Sequence, residues 1–309
     1  MRRIIALFLF AAAVSSTKPG CPISLDIKPC VCTNSPFTYL QCQHLDDAET
    51  LRSVFENSTH YKYQEVHIEF STMPFLPSEI FEKVPIDELH LKNVTLAQLF
   101  DRPPSNLKGL DKLHIENTRI NRGVSWKLLE PMTHLRILNI YYNSIKTLGT
   151  DFSEHITKEL RQLTFYETST KSVKPGAFKG FFDLEKVAFE SCKLTELSRD
   201  IFPTPSNVQV LYFNNNNLKS LPDDMFADMP RLQTIGLRHN QLTVIPATAF
   251  IGSTDRLAYF QLDGNPIICD CRLSWLIKAK PAALSGTCAL PSKFKGKEIK
   301  ELDAANFKC

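Results

Sequence analysis

Apolar residues recur along this chain in blocks whose internal spacing hardly changes. In "LRILNIYYNSI" (135–145), "VQVLYFNNNNL" (208–218), "LQTIGLRHNQL" (232–242) and "LAYFQLDGNPI" (257–267), places one, four, six and eleven are apolar and place nine is Asn. The same template starts at Tyr63, Ile86, Leu110, Leu135, Leu160, Leu184, Val208, Leu232 and Leu257, nine starts separated by 23 to 25 residues. Alternation within each block predicts a short strand, with places four and six turned to a core and places three, five and seven turned away from it. A second apolar signal such as "LPDDMF" or "IPATAF" follows each strand. Phe81, Phe152, Phe178, Phe202, Phe226 and Phe250 fall there at a nearly constant offset, so their rings are expected to stack as a spine under the convex side.

One strand per repeat, about 4.8 Å from its neighbour, builds a parallel sheet lining a curved solenoid. The template L-x-x-L-x-L-x-x-N/C-x-L resembles that of leucine-rich repeats. The expected fold is therefore an α/β repeat: a leucine-rich-repeat solenoid, a curved parallel β-sheet with disulfide-bonded N- and C-terminal caps. The expected organisation is a signal peptide over 1–16, a cysteine-rich N-terminal cap over 17–62, nine repeats over 63–268, and a cysteine-rich C-terminal cap over 269–309.

The first residues set the compartment. "MRRIIALFLFAAAVSS" has two arginines, an apolar run from Ile4 to Val14 and then small residues, the pattern of a secretory signal. Its eleven apolar residues are about half of the ~20 that a membrane-crossing helix needs. No later segment is apolar enough to span, and the chain stops at Cys309 without a hydrophobic tail, so a secreted, extracellular protein is expected. The formal charge of +3 falls to +1 once Arg2 and Arg3 are removed, which argues against nucleic acid or an acidic membrane as partner.

Place nine reads Ser71, Val94, Thr118, Asn143, Thr168, Cys192, Asn216, Asn240 and Asn265. The chain turns inward there, and its backbone groups lose water and need a partner, commonly the Asn amide. Cys192 is thus expected as a free buried thiol rather than one that pairs between chains. Val94 can donate nothing, so the second repeat is expected to have the least regular turn.

A solenoid exposes apolar surface at both ends, and both ends here are rich in cysteine. Cys21, Cys30, Cys32 and Cys42 precede Leu51, Val54 and Phe55, which can roof the core; Cys269, Cys271, Cys288 and Cys309 close the chain. Disulfides and zinc are the two readings, and the oxidising compartment and C-x-C spacing favour disulfides.

The outward places carry the candidate chemistry. Ile137, Tyr141, Tyr166 and Tyr212 lie on the concave face, with Tyr142 at its rim and Tyr259 further along, and such side chains anchor protein interfaces. His67, His90 and His114 occupy place five of adjacent strands, with Glu65, Glu69, Glu88 and Glu116 around them. They read either as a solvated polar face or as groups able to hold a divalent metal or titrate near neutrality; the expectation is of no metal. "NST" at Asn57 and "NVT" at Asn93 are acceptors for N-linked glycan. Lys293, Lys295, Lys297 and Lys300 form a basic edge that could hold glycosaminoglycan weakly. No G-x-S-x-G, H-E-x-x-H, G-x-G-x-x-G or phosphate loop is present, so no enzyme activity and no cofactor are expected.

"CPISLDIKPCVC" at the front, "DAETLRSVF" before the first repeat and "FKC" at the end resemble an arthropod family of secreted repeat proteins. Its named member is the non-catalytic subunit of oplophorus-luciferin 2-monooxygenase, a shrimp luciferase. The resemblance implies a binding or stabilising companion to a small catalytic subunit, with a protein ligand on the concave face and no catalytic residue. The alternative is an extracellular immune or adhesion recognition protein that binds glycan, microbial or cell-surface ligands. The cysteine clusters also resemble the flanks of extracellular leucine-rich-repeat proteins, whose order implies first to third and second to fourth: Cys21–Cys32, Cys30–Cys42, Cys269–Cys288 and Cys271–Cys309.

Overall fold

A computed structural model describes residues 20–105, 107–253 and 256–307; the expected signal segment and Cys309 lie outside them. Among the described residues, twelve strands form one sheet in chain order. The N-terminal cap supplies β1 (Val31–Thr33) and β2 (Tyr39–Gln43). Strands of the first five repeats are β3 (Tyr63–Glu69), β4 (Ile86–Lys92), β5 (Lys112–Glu116), β6 (Ile137–Tyr141) and β7 (Gln162–Tyr166). Then come β8 (Lys186–Glu190), β9 (Val210–Tyr212), β10 (Thr234–Gly236), β11 (Tyr259–Gln261) and, from the C-terminal cap, β12 (Ala283–Ser285). Only β1 and β2 pair antiparallel; every later neighbour in the sheet is parallel and in register, so equal places of successive repeats stand side by side.

Places one, four and six are buried in every repeat and form one core that runs the length of the molecule. The expected phenylalanines, Phe81, Phe152, Phe178, Phe202, Phe226 and Phe250, are all buried. Phe55, Phe100, Trp126 and Trp275 join them: Phe81 meets Phe55 and Phe100, Trp126 meets Phe152, and Trp275 meets Phe250, with ring centroids 4.6 to 5.9 Å apart. Aromatic rings suit this layer because edge-to-face contacts fill a wide space between repeats with few atoms.

The caps close this core as the cysteines suggest. Cys21–Cys32, Cys30–Cys42 and Cys269–Cys288 are disulfides; the fourth expected bridge, Cys271–Cys309, ends on a residue outside the described ones. Helix α1 (Ala48–Glu56) begins at Asp47, whose carboxylate accepts from the Thr50 amide at 2.7 Å, and it lays Leu51, Val54 and Phe55 over the first repeat. At the other end Trp275 donates its Nε1–H to Ile245 O at 3.0 Å.

Place eight is left-handed throughout. Phe70, Asn93, Asn117, Tyr142, Glu167, Ser191, Asn215, His239 and Gly264 all have positive φ, between 45° and 71°. This conformation costs a non-glycine residue about 1 kcal/mol or more, and it turns the chain from the sheet into the interior. At place nine, Asn216, Asn240 and Asn265 then meet the buried backbone. Asn240 Nδ2 donates to Phe213 O, Leu237 O and Arg238 O at 2.9 to 3.2 Å, and its Oδ1 accepts from the Leu218 amide at 3.1 Å. Cys192 sits in the same row, 6% exposed, with Sγ 3.3 Å from Thr168 Oγ1 and 3.4 Å from Glu190 O. Burial pushes its thiol pKa up.

The expected irregularity at Val94 is absent. Val94 is 1% exposed, the Thr95 amide donates to Ser71 O at 2.9 Å, and Val94 O accepts from the Arg119 amide at 2.8 Å. Backbone pairing thus replaces the missing side-chain donor. Short inner strands at Thr72–Met73, Thr95–Leu96 and Arg119–Ile120 form this ladder, which stops at the third repeat; a separate pair, Thr147–Leu148 with Ser172–Val173, begins in the fourth. The discontinuity lies beside Asn143, which is half-buried and makes one 3.4 Å bond, to Tyr141 O.

Candidate functional site

Because the strands pair in register, places three, five and seven form a grid on the concave face. Place five runs Gln41, His67, His90, His114, Asn139, Thr164, Ala188 across β2 to β8, and place seven runs Gln43, Glu69, Lys92, Glu116, Tyr141, Tyr166, Glu190. Tyr39, at place three of the cap strand, stands beside Glu65.

The rings on this grid touch. Tyr39 meets His67 edge-on at 4.6 Å between centroids, His67 stacks on His90 at 4.1 Å, and His90 lies 5.3 Å from His114. His114 meets Tyr141 edge-on at 4.9 Å, and Tyr141 meets Tyr166 at 6.0 Å. Tyr142, projected from its left-handed turn at the rim, meets Tyr166 at 5.5 Å. Sequence reasoning treated the histidines and tyrosines as separate candidates; the structure joins them in one stripe and adds Tyr39. The cap strand "TYLQCQ" repeats the alternation of the true repeats, and that signal could have found it.

A cavity of about 420 Å³ opens at the tyrosine end, lined by Glu116, Tyr141, Tyr142, Thr164, Tyr166, Lys186 and Glu190. Ile137 lies two residues before Asn139 on β6, outside that lining. Tyr212 stands on β9, two strands beyond Tyr166, and its ring packs against Gly236, where a Cβ would come within 2.6 Å of it. Tyr259 stands apart on β11 and is 52% exposed. Of the six expected contact residues, Tyr141, Tyr142 and Tyr166 are thus brought together, while Tyr212 and Tyr259 are not.

Electrostatics divide the stripe. Burial, aided by the charges of His67, Lys112 and His114 and opposed by a 3.0 Å bond to Glu88, pushes the His90 pKa down to about 4. Burial also lowers that of His114. Both rings are therefore neutral at pH 7 and act as polar aromatics rather than as cations. Burial and then the carboxylates of Glu190 and Glu116 raise the pKa of Tyr141. For Glu69 burial alone would raise the pKa, but donors from Gln43 and Gln41, together with His67, hold it below the usual carboxylate value.

Asn57 is exposed at the end of α1, where its Nδ2 donates to Asp26 O at 2.8 Å; Asn93 lies half-buried at the rim and accepts from Asn117 Nδ2 at 2.5 Å.

Residues 183–242 and 206–267 match the family model "Leucine rich repeat". The fold is a solenoid of leucine-rich repeats. The chain is 24% identical over 327 aligned positions to "Oplophorus-luciferin 2-monooxygenase non-catalytic subunit" of Oplophorus gracilirostris, covering 95% of this chain and 89% of that one. It is 25% identical to lumican of Gallus gallus over 78% of this chain and 64% of lumican. Among solved structures, human trophoblast glycoprotein matches with a TM-score of 0.55 at 19% identity, over 91% of this chain and 98% of the other. A chain of the octameric complex of Latrophilin 3, Unc5D and FLRT2 matches with a TM-score of 0.63 at 17% identity, over 86% and 89%. These structural likenesses speak for the fold, a solenoid of leucine-rich repeats with disulfide-bonded caps. Among the described residues no helix is long and apolar enough to cross a membrane.

Proposed function

We propose that this leucine-rich-repeat chain is a secreted binding module whose concave face receives a protein partner, and that it acts as a non-catalytic, stabilising companion to that partner. The observation that carries the reading is the unbroken stripe of rings from Tyr39 to Tyr166, ending in the cavity around Tyr141 and Tyr142. Aromatic rings held rigid on strands bury much area at little entropic cost, the property of interface anchors. Similarity to a luciferase's non-catalytic subunit over nearly the whole chain supports the companion role and suggests a small oxidising enzyme as the partner. Disulfide caps and extracellular relatives such as lumican fit secretion. Glycans on Asn57 and Asn93 would leave the tyrosine cavity open, since neither residue lines it.

The test is capture of tagged protein from the native secreted fluid, alongside the Tyr141→Ala/Tyr166→Ala double variant. One stoichiometric small protein is expected with the native chain, and a loss of affinity of about 30-fold or more with the variant. The melting temperature should change little, because both rings are only partly buried. Retention of nothing stoichiometric would remove the companion role; equal retention by both would move the site off this face.

A further inference from the structure

The concave face draws together a different trio from the three histidines that the sequence groups. A carboxylate oxygen of Glu65 and one nitrogen each of His67 and His90 lie within 4.8 Å of one another, and His114 is outside this group; His90 Nε2 also lies 3.0 Å from Glu88, and His114 Nε2 3.4 Å from Glu116. We propose that Glu65, His67 and His90 bind a divalent transition-metal cation of the zinc type, with Glu69 orienting His67.

Three observations carry this. The donor set comes first: two imidazole nitrogens and one carboxylate oxygen are the three protein ligands of many open zinc sites, which leave a fourth position for water or an incoming group. Here that position would face the concave groove, where a partner's side chain could complete it.

Local charge is the second. Lys112 pairs with Glu88 at 2.9 Å, Lys92 with Glu116 at 3.2 Å and Lys62 with Asp87 at 2.8 Å. Among the described residues, Glu65 and Glu69 pair with no lysine or arginine; their ion-pair contacts are to His67 alone. Two carboxylates with no basic partner, packed beside imidazoles, make a site that favours a cation.

Third is the support behind the ligands. Glu65 Oε2 lies 3.0 Å from His67 Nε2, and Glu69 Oε1 lies 3.7 Å from His67 Nδ1 on the opposite side of the ring. Glu69 is itself fixed, its Oε2 accepting from Gln41 Nε2 at 3.0 Å and Gln43 Nε2 at 2.7 Å. A carboxylate behind an imidazole whose far nitrogen faces the metal is the arrangement that sets ring orientation and raises ligand basicity.

Tetrahedral zinc bonds of 2.0–2.1 Å place ligand atoms roughly 3.3 Å apart. The imidazoles of His67 and His90 lie nearly parallel, 13° apart, so one ring has to turn out of the stack for both nitrogens to point at a shared ion. Binding should therefore separate the ring resonances of these two histidines.

The experiment uses the full secreted chain, stripped with chelator and titrated at pH 7 with zinc chloride by calorimetry and with cobalt chloride by visible absorption. One saturable equivalent in the low-micromolar range or tighter is expected, with the intense bands of low-symmetry four-coordinate cobalt. His90→Ala should weaken binding by about 100-fold and Glu69→Gln by about 10-fold, with His114→Ala unchanged. Circular dichroism of each variant shows whether it has folded, and His90→Gln serves if the alanine variant has not. Absence of saturable zinc binding by the native chain would overturn the proposal. So would equal losses in His90→Ala and His114→Ala, which mark a nonspecific histidine-rich surface.

Discussion

The first three repeats and the last three solve the same problem with different chemistry. Each repeat has to turn its backbone into a dry interior at place nine. In the C-terminal repeats Asn216, Asn240 and Asn265 do this through their side chains, and strands β9 to β11 are each three residues long. In the N-terminal repeats Ser71, Val94 and Thr118 stand in that row; β3 and β4 are seven residues long, Ser71 and Thr118 meet the backbone through single hydroxyls, and the inner ladder from Thr72 to Ile120 adds main-chain bonds, the means by which the turn at Val94 is satisfied. An Asn amide and a second strand are therefore alternative ways of keeping buried backbone paired. The family-model match, confined to 183–267, falls on the part that uses the amide.

The comparison is sharpest at two substitutions. Asn240→Ala removes four side-chain bonds and leaves the buried Leu218 amide without its acceptor, while Phe213 O, Leu237 O and Arg238 O keep donors from Asn216, Asn265 and the Asn215 amide; it is expected to cost about 3 kcal/mol. Val94→Ala should cost about 2 kcal/mol, the loss of two buried methylene equivalents and nothing polar. Urea unfolding of both variants measures the contrast; equal costs would show that the side-chain row matters no more in one half than in the other.

Mild acid should act on the N-terminal half through His90. His90 is held near 4 in the fold against 6.5 in the unfolded chain, so the unfolded state binds the extra proton between those values. Stability from this group is complete above about pH 6.5 and is lost as the pH falls toward about 4, by up to ~3 kcal/mol. Unfolding in the presence of chelator, with His90→Gln as the reference, isolates it: the difference between the two proteins should shrink over this interval, and a constant difference would contradict the assignment.

The smallest effect concerns Cys192, which interrupts the row between the two halves. Its buried, pKa-raised thiol should resist iodoacetamide in the native state and react fully in denaturant. Cys192→Ser should cost only ~1 kcal/mol, because a hydroxyl can meet Thr168 and Glu190 O in the same place.

Much of the fold was legible before any coordinates. The four apolar places and the 23- to 25-residue period located every repeat strand, and they put Tyr141 and Tyr166 on the outward face with Tyr142 at its rim; the contacts among the three came from the structure. Tyr212 and Tyr259 share the same pattern, yet one strand stands between Tyr166 and Tyr212 and another between Tyr212 and Tyr259; their common chemistry does not make them neighbours. The grouping of His67 and His90 with Glu65 rather than with His114 was hidden for a related reason. Register brings all three imidazoles level, but the direction of each ring depends on the carboxylates beside it.

By itself, then, the sequence determined a capped solenoid, because periodic apolar residues can be buried together only by stacking one repeat on the next. Tertiary structure decided how each turn is satisfied, as at Val94, and which outward side chains touch. Those outcomes rest on left-handed turns at place eight, on strand pairing and on ring orientation, all of which depend on residues some two dozen positions away that come close only when the repeats stack.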